Sequence, residues 1–302
     1  MQRKQHIDAF GATVLIGFSL LMALNQVVIK VTNDGFQPVF FAGLRSAGAI
    51  LCIALWIRWQ GRGLSIRPDL WPSALLIGTM FAIEFIFVFM ALDLTSVARA
   101  SVIFYTMPVW LALAGHFLLP GERLTPTKSI GLGLAVIGVS WAIFDRSGPA
   151  EEASLTGDLL ALAGSLSWAG IALCARATPF REVRPELQMF YQVLISAPIL
   201  LLASLFFGPL IRALEPVHLL GLTFQIVIVV SAGFVVWMWL LSVYPAANVA
   251  SFSFLSPVLG VLLGWALLGE TISVSILGAL CCVGLGIILV NRPPRDQVPQ
   301  KV

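Results

Sequence analysis

The chain has 302 residues, of which 59% are hydrophobic and only 11% are charged. Soluble domains carry about 25% charged residues, so this composition excludes a soluble globular protein and requires that most of the chain face lipid. The net charge of +3 is small, and we expect no nucleic-acid partner. The four cysteines lie within apolar runs and lack the spacing of a metal site or a disulfide framework.

Ten apolar segments are long enough to cross a membrane, which takes about 20 residues. A stretch from Pro216 to Gly269 contains no Asp, Glu, Lys or Arg. As one helix it would be about 81 Å long, far more than a hydrocarbon core of about 30 Å. We therefore predict a break at 244–248. The predicted spans are 9–31, 38–57, 70–91, 96–119, 127–145, 156–175, 187–207, 217–243, 247–268 and 272–291.

Basic residues set the predicted orientation of these spans. With the N-terminus inside, thirteen of the eighteen Lys and Arg residues fall in inner segments, four fall at outer ends, and Arg45 lies within the second span. Such an excess on one side marks the cytoplasmic face. The sequence therefore predicts an all-α integral membrane protein with ten transmembrane helices and both termini in the cytoplasm. No convincing cleavage site follows the first apolar run, so we expect a retained first span.

Several motifs occur twice, about 150 residues apart, and this spacing in 302 residues indicates two half-molecules. We place the halves at 1–148 and 149–302. Because five helices per half is an odd number, the second half inserts upside down. Inverted repeats are typical of secondary transporters, which bind substrate between the halves near the membrane midplane. The matched positions are Pro108 with Pro257, Gly121-Glu122 with Gly269-Glu270, and Gly138 with Gly286.

Four motifs can be read along the chain: ALNQVVIK at 23–30, FAGLR at 41–45, GDLLAL at 157–162 followed by Trp168, and the repeated Pro…Gly-Glu…Gly. Together they resemble the EamA-type, ten-helix branch of the drug/metabolite transporter superfamily. Within that branch the chain looks most like the YddG-type exporters of aromatic and other amino acids. The resemblance implies a multi-pass protein of the plasma membrane, the inner membrane in bacteria, that exports amino acids by alternating access. Helix 1 departs from the pattern, with Met22 where many relatives have Trp.

Glu84 is the strongest candidate for a substrate-binding residue. It lies in the middle of the third span, within FAIEFIFVFM. A carboxylate facing lipid costs several kcal/mol, so it must face a cavity or a partner. We expect it to hold a substrate ammonium or to relay a proton. The alternative is that it touches no substrate and either pairs with a neighbouring helix or is protonated.

Aromatic and amide side chains complete the predicted site. Tyr105, Trp168 and Trp237 lie deeper than the interfacial aromatic belt, where their flat faces suit an amino acid side chain or a cation. Asn25 is an amide within the first span that needs a hydrogen-bond partner. Packing alone is the alternative for each aromatic residue. We expect the substrate near spans 1, 3, 4, 6, 8 and 9.

Other residues are assigned structural or gating roles. Arg45 is expected to pair with Asp34 or Asp93. Pro108 and Pro257 remove a backbone hydrogen bond at matched positions, which predicts matched kinks that either gate the cavity or serve packing.

Two more residues at span ends have structural roles. Asp158 follows a helix start, where stabilising the helix N-terminus is its expected role and proton binding the alternative. Arg99 is expected to be an anchor or a salt-bridge partner.

The sequence contains none of the patterns of soluble catalytic chemistry. A dinucleotide fingerprint, a P-loop and a nucleophile elbow are all missing, and three scattered histidines suggest no metal site. We predict a transporter without cofactor or metal, with membrane lipids around it and an oligomeric state left open. The rivals are a carrier for another metabolite class, such as nucleotide sugars or drug-like compounds, a channel, and an intramembrane enzyme acting on lipids.

Overall fold

The structure, a computed structural model, describes residues 7–119, 124–145, 154–244, 249, 252 and 254–291. Twelve α-helices lie in this part of the chain, and a π-helical run at Gln225–Ala232 joins α9 to α10. The helices are α1 Ala9–Asn33, α2 Pro38–Trp59, α3 Trp71–Leu94, α4 Val97–Phe104, α5 Met107–Leu118, α6 Pro126–Phe144, α7 Leu155–Ala177, α8 Pro185–Ala203, α9 Pro216–Phe224, α10 Gly233–Val243, α11 Leu255–Leu268 and α12 Val274–Val290.

Local sequence explains where the helices begin. Thr125, Ser154 and Ser273 each accept a hydrogen bond from the backbone N–H three residues ahead, at the starts of α6, α7 and α12. Hydroxyl side chains are favoured at this position because they satisfy an N–H that has no partner inside the helix. Proline opens α2, α6, α8 and α9, where its missing N–H costs nothing.

Eight helical stretches in the described chain are long and apolar enough to cross a membrane, and each overlaps one of the first eight predicted segments. Two shorter apolar helices, α11 and α12, follow them. The count of ten spans remains a prediction, as do the positions of the termini. Residues 245–248 of the break predicted at 244–248, the link at 146–152 and the Gly121-Glu122 motif lie outside the described residues.

The two matched prolines lie at helix starts, which differs from the prediction of kinks inside continuous helices. The fourth span is interrupted after Phe104, and Pro108 is the second residue of α5. Pro257 is the third residue of α11. Because N–H groups in a first turn have no intrahelical acceptor, neither proline removes a hydrogen bond from its helix.

Helices from the two halves pack against each other in antiparallel pairs. On α6, a side chain at Gly131 would meet the carbonyl of Gly286, and one at Gly138 would meet the carbonyl of Ala279 on α12. As the numbering rises along α6 it falls along α12, so the two helices run in opposite directions. Glycine at these crossings lets the backbones approach closely.

A second antiparallel pair is formed by α2 and α8. Ser46 and Ser196 form a hydrogen bond between their hydroxyl groups, with an O–O distance of 3.3 Å. Gly43 of α2 packs against Leu201 of α8, so the numbering again runs in opposite directions. The two serines are 150 residues apart, which is close to the spacing of the repeated motifs.

Candidate functional site

A cavity of about 340 Å³ lies between the two halves of the chain. Residues of α1, α2, α3 and α4 line it from the first half, and residues of α7, α8, α10 and α11 line it from the second. The cavity contains six of the eight predicted site residues and thus brings together side chains that are far apart in sequence. They are Asn25, Arg45, Glu84, Tyr105, Trp168 and Trp237.

Two predicted residues lie elsewhere. Pro108 and Pro257 are not among the residues that line the cavity. Each nevertheless closely follows one that does: Tyr105 at the end of α4 and Ser256 at the start of α11. The first turns of α5 and α11, which contain the prolines, therefore lie next to the cavity wall and fix the direction of the backbone there.

One wall is aromatic, because the break in the fourth span places two neighbouring rings beside α7. The Trp168 ring stacks on Phe104, with centroids 5.2 Å apart and an interplanar angle of 14°. Tyr105 meets Trp168 edge-on at 6.4 Å. Across the cavity, Phe18 stacks on Trp237 at 5.2 Å. Stacked and edge-on pairs hold ring planes in fixed orientations, so these walls are rigid and flat.

Tyr105 joins this wall to α1. Its hydroxyl donates a hydrogen bond to the Met22 carbonyl over 3.1 Å. One turn along α1, the Gln26 side-chain oxygen accepts a hydrogen bond from the Ser101 hydroxyl at 2.6 Å. Buried polar groups that satisfy one another fix the spacing of the helices that carry them, here α1 and α4.

Two opposite charges lie in the cavity wall without an ion pair. Arg45 on α2 and Glu84 on α3 are both buried, and neither makes a hydrogen bond or ion pair with any residue that the structure describes. The Arg45 guanidinium instead lies over the Phe85 ring, 4.6 Å from its centroid. The two charges are near enough to attract one another.

The expected pairing of Arg45 with Asp34 or Asp93 is wrong. Asp93 forms its ion pair with Arg212, at 2.7 Å between Oδ1 and Nη1. The hydrogen bonds that Arg212 donates to this carboxylate raise the pKa of the Arg212 guanidinium. Arg45 lies nearly two turns into α2, which begins at Pro38, several residues beyond Asp34, and it lines the cavity.

Asn25 presents an amide oxygen that has no hydrogen-bond partner in the described part of the chain. Its backbone carbonyl accepts a hydrogen bond from the side chain of Gln225, at 3.2 Å. Gln225 begins the π-helical run, and such runs are frequent at functional sites. Asn25 lines the cavity, and its buried amide oxygen has no partner there among the described residues.

Sequence reasoning missed the contribution of the seventh span. Met189 and Gln192 of α8 line the cavity, although spans 2 and 7 were not among the six expected to surround the substrate. A signal was present: Gln188 and Gln192 are polar residues one turn apart in an apolar helix. Gln188 binds the carbonyls of Phe180 and Val183, which leaves Gln192 as the polar residue of this pair at the cavity.

A buried polar cluster lies beyond one end of the cavity. Asp158 of α7 accepts hydrogen bonds from the Thr95 hydroxyl at 2.9 Å and from Arg99 at 2.6 Å. Arg99 also donates to the Ala142 carbonyl of α6. Lys30, at the end of α1, donates to the Thr95 carbonyl at 2.8 Å.

This arrangement revises the expected role of Asp158 and fits the salt-bridge alternative for Arg99. The N-terminus of α7 is capped by Ser154 rather than by Asp158. Asp158 instead connects α7 to α4 through a buried ion pair.

A smaller contact lies beyond the other end. Asp8, which caps α1, accepts a hydrogen bond from the Tyr244 hydroxyl at 2.6 Å. Since α1 runs from Asp8 to Lys30 with cavity-lining residues between them, the two contacts lie at opposite ends of the cavity. Tyr244 follows the eighth span. Thr95, which lies 149 residues earlier, occupies the corresponding position after the third span.

The described residues form helices, many of them long and apolar enough to cross a membrane, with a cavity between the two halves. This is the architecture of a membrane transporter. The EamA-like transporter family matches the chain twice, over residues 9–144 and 155–292, and the chain belongs to this family. It is a multi-pass protein of the plasma membrane, the inner membrane in bacteria. The family membership indicates a transporter rather than an enzyme.

Individual relatives cover almost the whole chain. An uncharacterized transporter, YoaV, of Bacillus subtilis (strain 168) is 26% identical over 89% of this chain and 93% of its own. A protein named probable amino-acid metabolite efflux pump, from Escherichia coli (strain K12), is 29% identical over 93% of this chain and 92% of its own. A solved crystal structure with 22% sequence identity superimposes with a TM-score of 0.65, covering 93% of this chain and 97% of that one, and shows the same fold.

Proposed function

We propose that this protein exports amino acids and related small metabolites as a secondary transporter. The observation that carries the proposal is Glu84, a buried carboxylate in the cavity wall with no hydrogen-bond partner among the described residues. A buried charge is costly unless an opposite charge or a donor meets it. The ammonium group of an amino acid supplies both. Relatives named probable amino-acid metabolite efflux pump support the same substrate class.

The other predicted binding residues have complementary roles in this proposal. Asn25 accepts a hydrogen bond from the substrate through its unpaired amide oxygen. Tyr105, Trp168 and Trp237 present ring faces to the substrate side chain. Because these faces are apolar, they favour side chains without charge.

The membrane topology in this proposal has ten spans, both termini in the cytoplasm, and halves at 1–148 and 149–302. The packing of α6 against α12 supports an inverted arrangement. The offset that matches Gly138 with Gly286 also matches Gly131 with Ala279. Gly131 packs on Gly286, and Gly138 packs on Ala279. Replacing each residue of the first contact by its match in the other half gives the second contact. Such reciprocity is the mark of twofold symmetry.

Alternating access follows from the contacts at the two ends of the cavity. The Asp158 cluster joins α4 to α7 at one end, and the Asp8–Tyr244 hydrogen bond joins α1 to the end of α10 at the other. Opening one contact while the other stays closed exposes the cavity to one side at a time. The breaks next to Pro108 and Pro257 are where the chain bends during this exchange.

The rival substrate classes fit the cavity less well. A nucleotide sugar or another polyanion calls for several cations, and Arg45 is the single one among the described lining residues. An intramembrane enzyme acting on lipids calls for clustered acids or histidines, and Glu84 is the single acid among the same residues. One charge of each sign suits a small zwitterion better.

The proposal is tested by reconstituting the purified protein in liposomes loaded with each of the twenty amino acids in turn. We expect protein-dependent release of several of them. The variant Glu84→Gln should lower release while keeping the size-exclusion profile of the wild type in detergent. Glu182→Gln is the matched control, because Glu182 is an exposed acid with 54% of its side chain accessible. Silence across the whole panel would refute an amino acid substrate.

A tag experiment tests the topology separately. Tags on the two termini should both be accessible only from the cytoplasmic side. Tags found on opposite sides of the membrane would overturn the ten-span arrangement and the inverted repeat together.

A further inference from the structure

Arg45 is the most unusual charged residue in the cavity. Only 7% of Arg45 is exposed, and its Nε–H has no partner among the described residues. A guanidinium has five N–H donors and stays charged. A buried arginine therefore normally donates hydrogen bonds to carboxylates or carbonyls, and among the described residues Arg45 donates none, although the Glu84 carboxylate lines the same cavity.

The rings below Arg45 hold it in place without neutralising it. The guanidinium carbon is 4.6 Å from the Phe85 centroid and 5.6 Å from the Phe89 centroid. Cation–π contacts of this kind stabilise a guanidinium by about 0.5–2 kcal/mol and fix its position over the ring. They leave its hydrogen-bond donors unused. The geometry therefore presents a positioned donor fork to the cavity.

Glu84 precedes Phe85 by one residue, so the acid and the ring that supports Arg45 belong to the same turn of α3. The Glu84 Oε2 atom is also unpaired. If the two residues existed only to neutralise each other, a direct ion pair would be expected, since a buried pair is favourable only with good hydrogen-bond geometry. Instead, the two residues line the same cavity, and each has a buried polar atom without a partner among the described residues.

We propose that Arg45 binds the carboxylate of the substrate while Glu84 binds its ammonium, so that the site selects zwitterions with both groups free. The inference rests on the proposed function and narrows it to a substrate class. Arg45 thereby becomes a specificity-determining residue instead of a structural one. A planar guanidinium suits a carboxylate because it can donate two parallel hydrogen bonds.

This assignment predicts that analogues of one amino acid bind with different affinities, depending on which charged groups they keep. Leucine has both charged groups, leucinamide and 3-methylbutylamine keep only the ammonium, and 4-methylpentanoate keeps only the carboxylate. All four fill similar space, so the apolar walls do not separate them. A site built to bind both groups rejects analogues that leave a buried charge unpaired.

The test measures inhibition of leucine counterflow by these three analogues in liposomes that contain the wild-type protein. We expect each analogue to inhibit at least about tenfold more weakly than unlabelled leucine. An amine or an amide that competes as well as leucine would overturn the role of Arg45. This first arm uses the wild-type protein and so does not depend on the folding of a variant.

Two variants then test which residue binds which charged group of the substrate. Arg45→Gln should lose the preference for leucine over 3-methylbutylamine, and Glu84→Gln should lose the preference for leucine over 4-methylpentanoate. Arg45→Lys keeps the charge without the planar fork, and we expect partial retention of the preference. Glu182→Gln again serves as the control. Unchanged preferences in variants that keep the wild-type size-exclusion profile would refute the assignment.

The outcomes separate this inference from the proposed function. If the wild-type protein moves leucine but does not distinguish it from its amine, the zwitterion site is wrong and amino acid export stands. If the wild-type protein moves none of the twenty amino acids, the proposed function fails and the zwitterion site fails with it.

Discussion

Arg99 and Asp158 form a buried ion pair in which the guanidinium donates to both carboxylate oxygens, with an Nη2–Oδ2 distance of 2.6 Å. The Arg99 side chain is 5% exposed and that of Asp158 is fully buried. The pair connects α4 of the first half to α7 of the second. Additional hydrogen bonds from Arg99 to Ala142 and from Thr95 to Asp158 satisfy further polar atoms, which is the condition for a favourable buried pair.

Removing one member of this pair should destabilise the protein strongly. Asp158→Ala leaves the Arg99 guanidinium buried without its partner, and such losses cost about 3–5 kcal/mol. We expect the thermal unfolding temperature of the purified protein in detergent to fall clearly below that of the wild type. Asp69→Ala is the control, because the exposed pair of Asp69 with Arg67 contributes about 0–1 kcal/mol. Equal unfolding temperatures for the two variants would contradict a structural role for the buried pair.

The start of α4 gives a second stability prediction. The Glu270 carboxylate accepts hydrogen bonds from the backbone N–H groups of Val97 and Ala98, at 2.6 and 2.9 Å. Glu270→Ala leaves two buried donors at a helix N-terminus, at a cost of about 1–3 kcal/mol each. We expect a lowered unfolding temperature in detergent. Glu270→Gln keeps one acceptor and should lie between the alanine variant and the wild type; an alanine variant as stable as the wild type would rule out this cap.

How much of this molecule follows from its sequence depends on the kind of interaction. The apolar spans were predictable because lipid imposes both length and composition, and the described helices begin or end within a few residues of the predicted segments. The π-helical run at Gln225–Ala232 was not predictable, since nothing in its composition differs from an ordinary apolar helix. Such a run depends on tertiary contacts around it.

The residues that line the cavity were predictable only in part. Glu84, Asn25 and the deep aromatic residues stood out because polar or flat side chains are unusual inside an apolar span. The pairing of Arg45 was mispredicted, because sequence separation along a helix does not tell which neighbouring helix a long side chain meets. Arg212, on a loop that is distant in sequence, forms the ion pair with Asp93 instead.

The aromatic wall predicts an effect on substrate affinity. Trp168→Ala removes the ring that stacks on Phe104, and ring contacts of this type contribute about 0.5–1.5 kcal/mol. We expect the apparent affinity for phenylalanine in liposome transport to fall about two- to tenfold, with Trp168→Phe partly restoring it. The control is Trp59→Ala, because Trp59 is 79% exposed at the end of α2. An unchanged affinity in a folded Trp168→Ala variant would remove this ring from the substrate site.

The crossing of α6 and α12 gives the most direct test of the packing between the halves. A methyl group added at Gly131 would lie 2.8 Å from the backbone carbonyl of Gly286, and a backbone atom moves only if a whole helix moves. Gly133, two residues along the same helix, has nothing within 4 Å of the same position. Alanine is the better helix former at both sites by about 1 kcal/mol. We therefore expect Gly133→Ala to preserve or raise the unfolding temperature in detergent and Gly131→Ala to lower it. If both variants shift in the same direction by the same amount, the two helices do not meet at Gly131, and the reciprocal contacts that support the inverted repeat lose their basis.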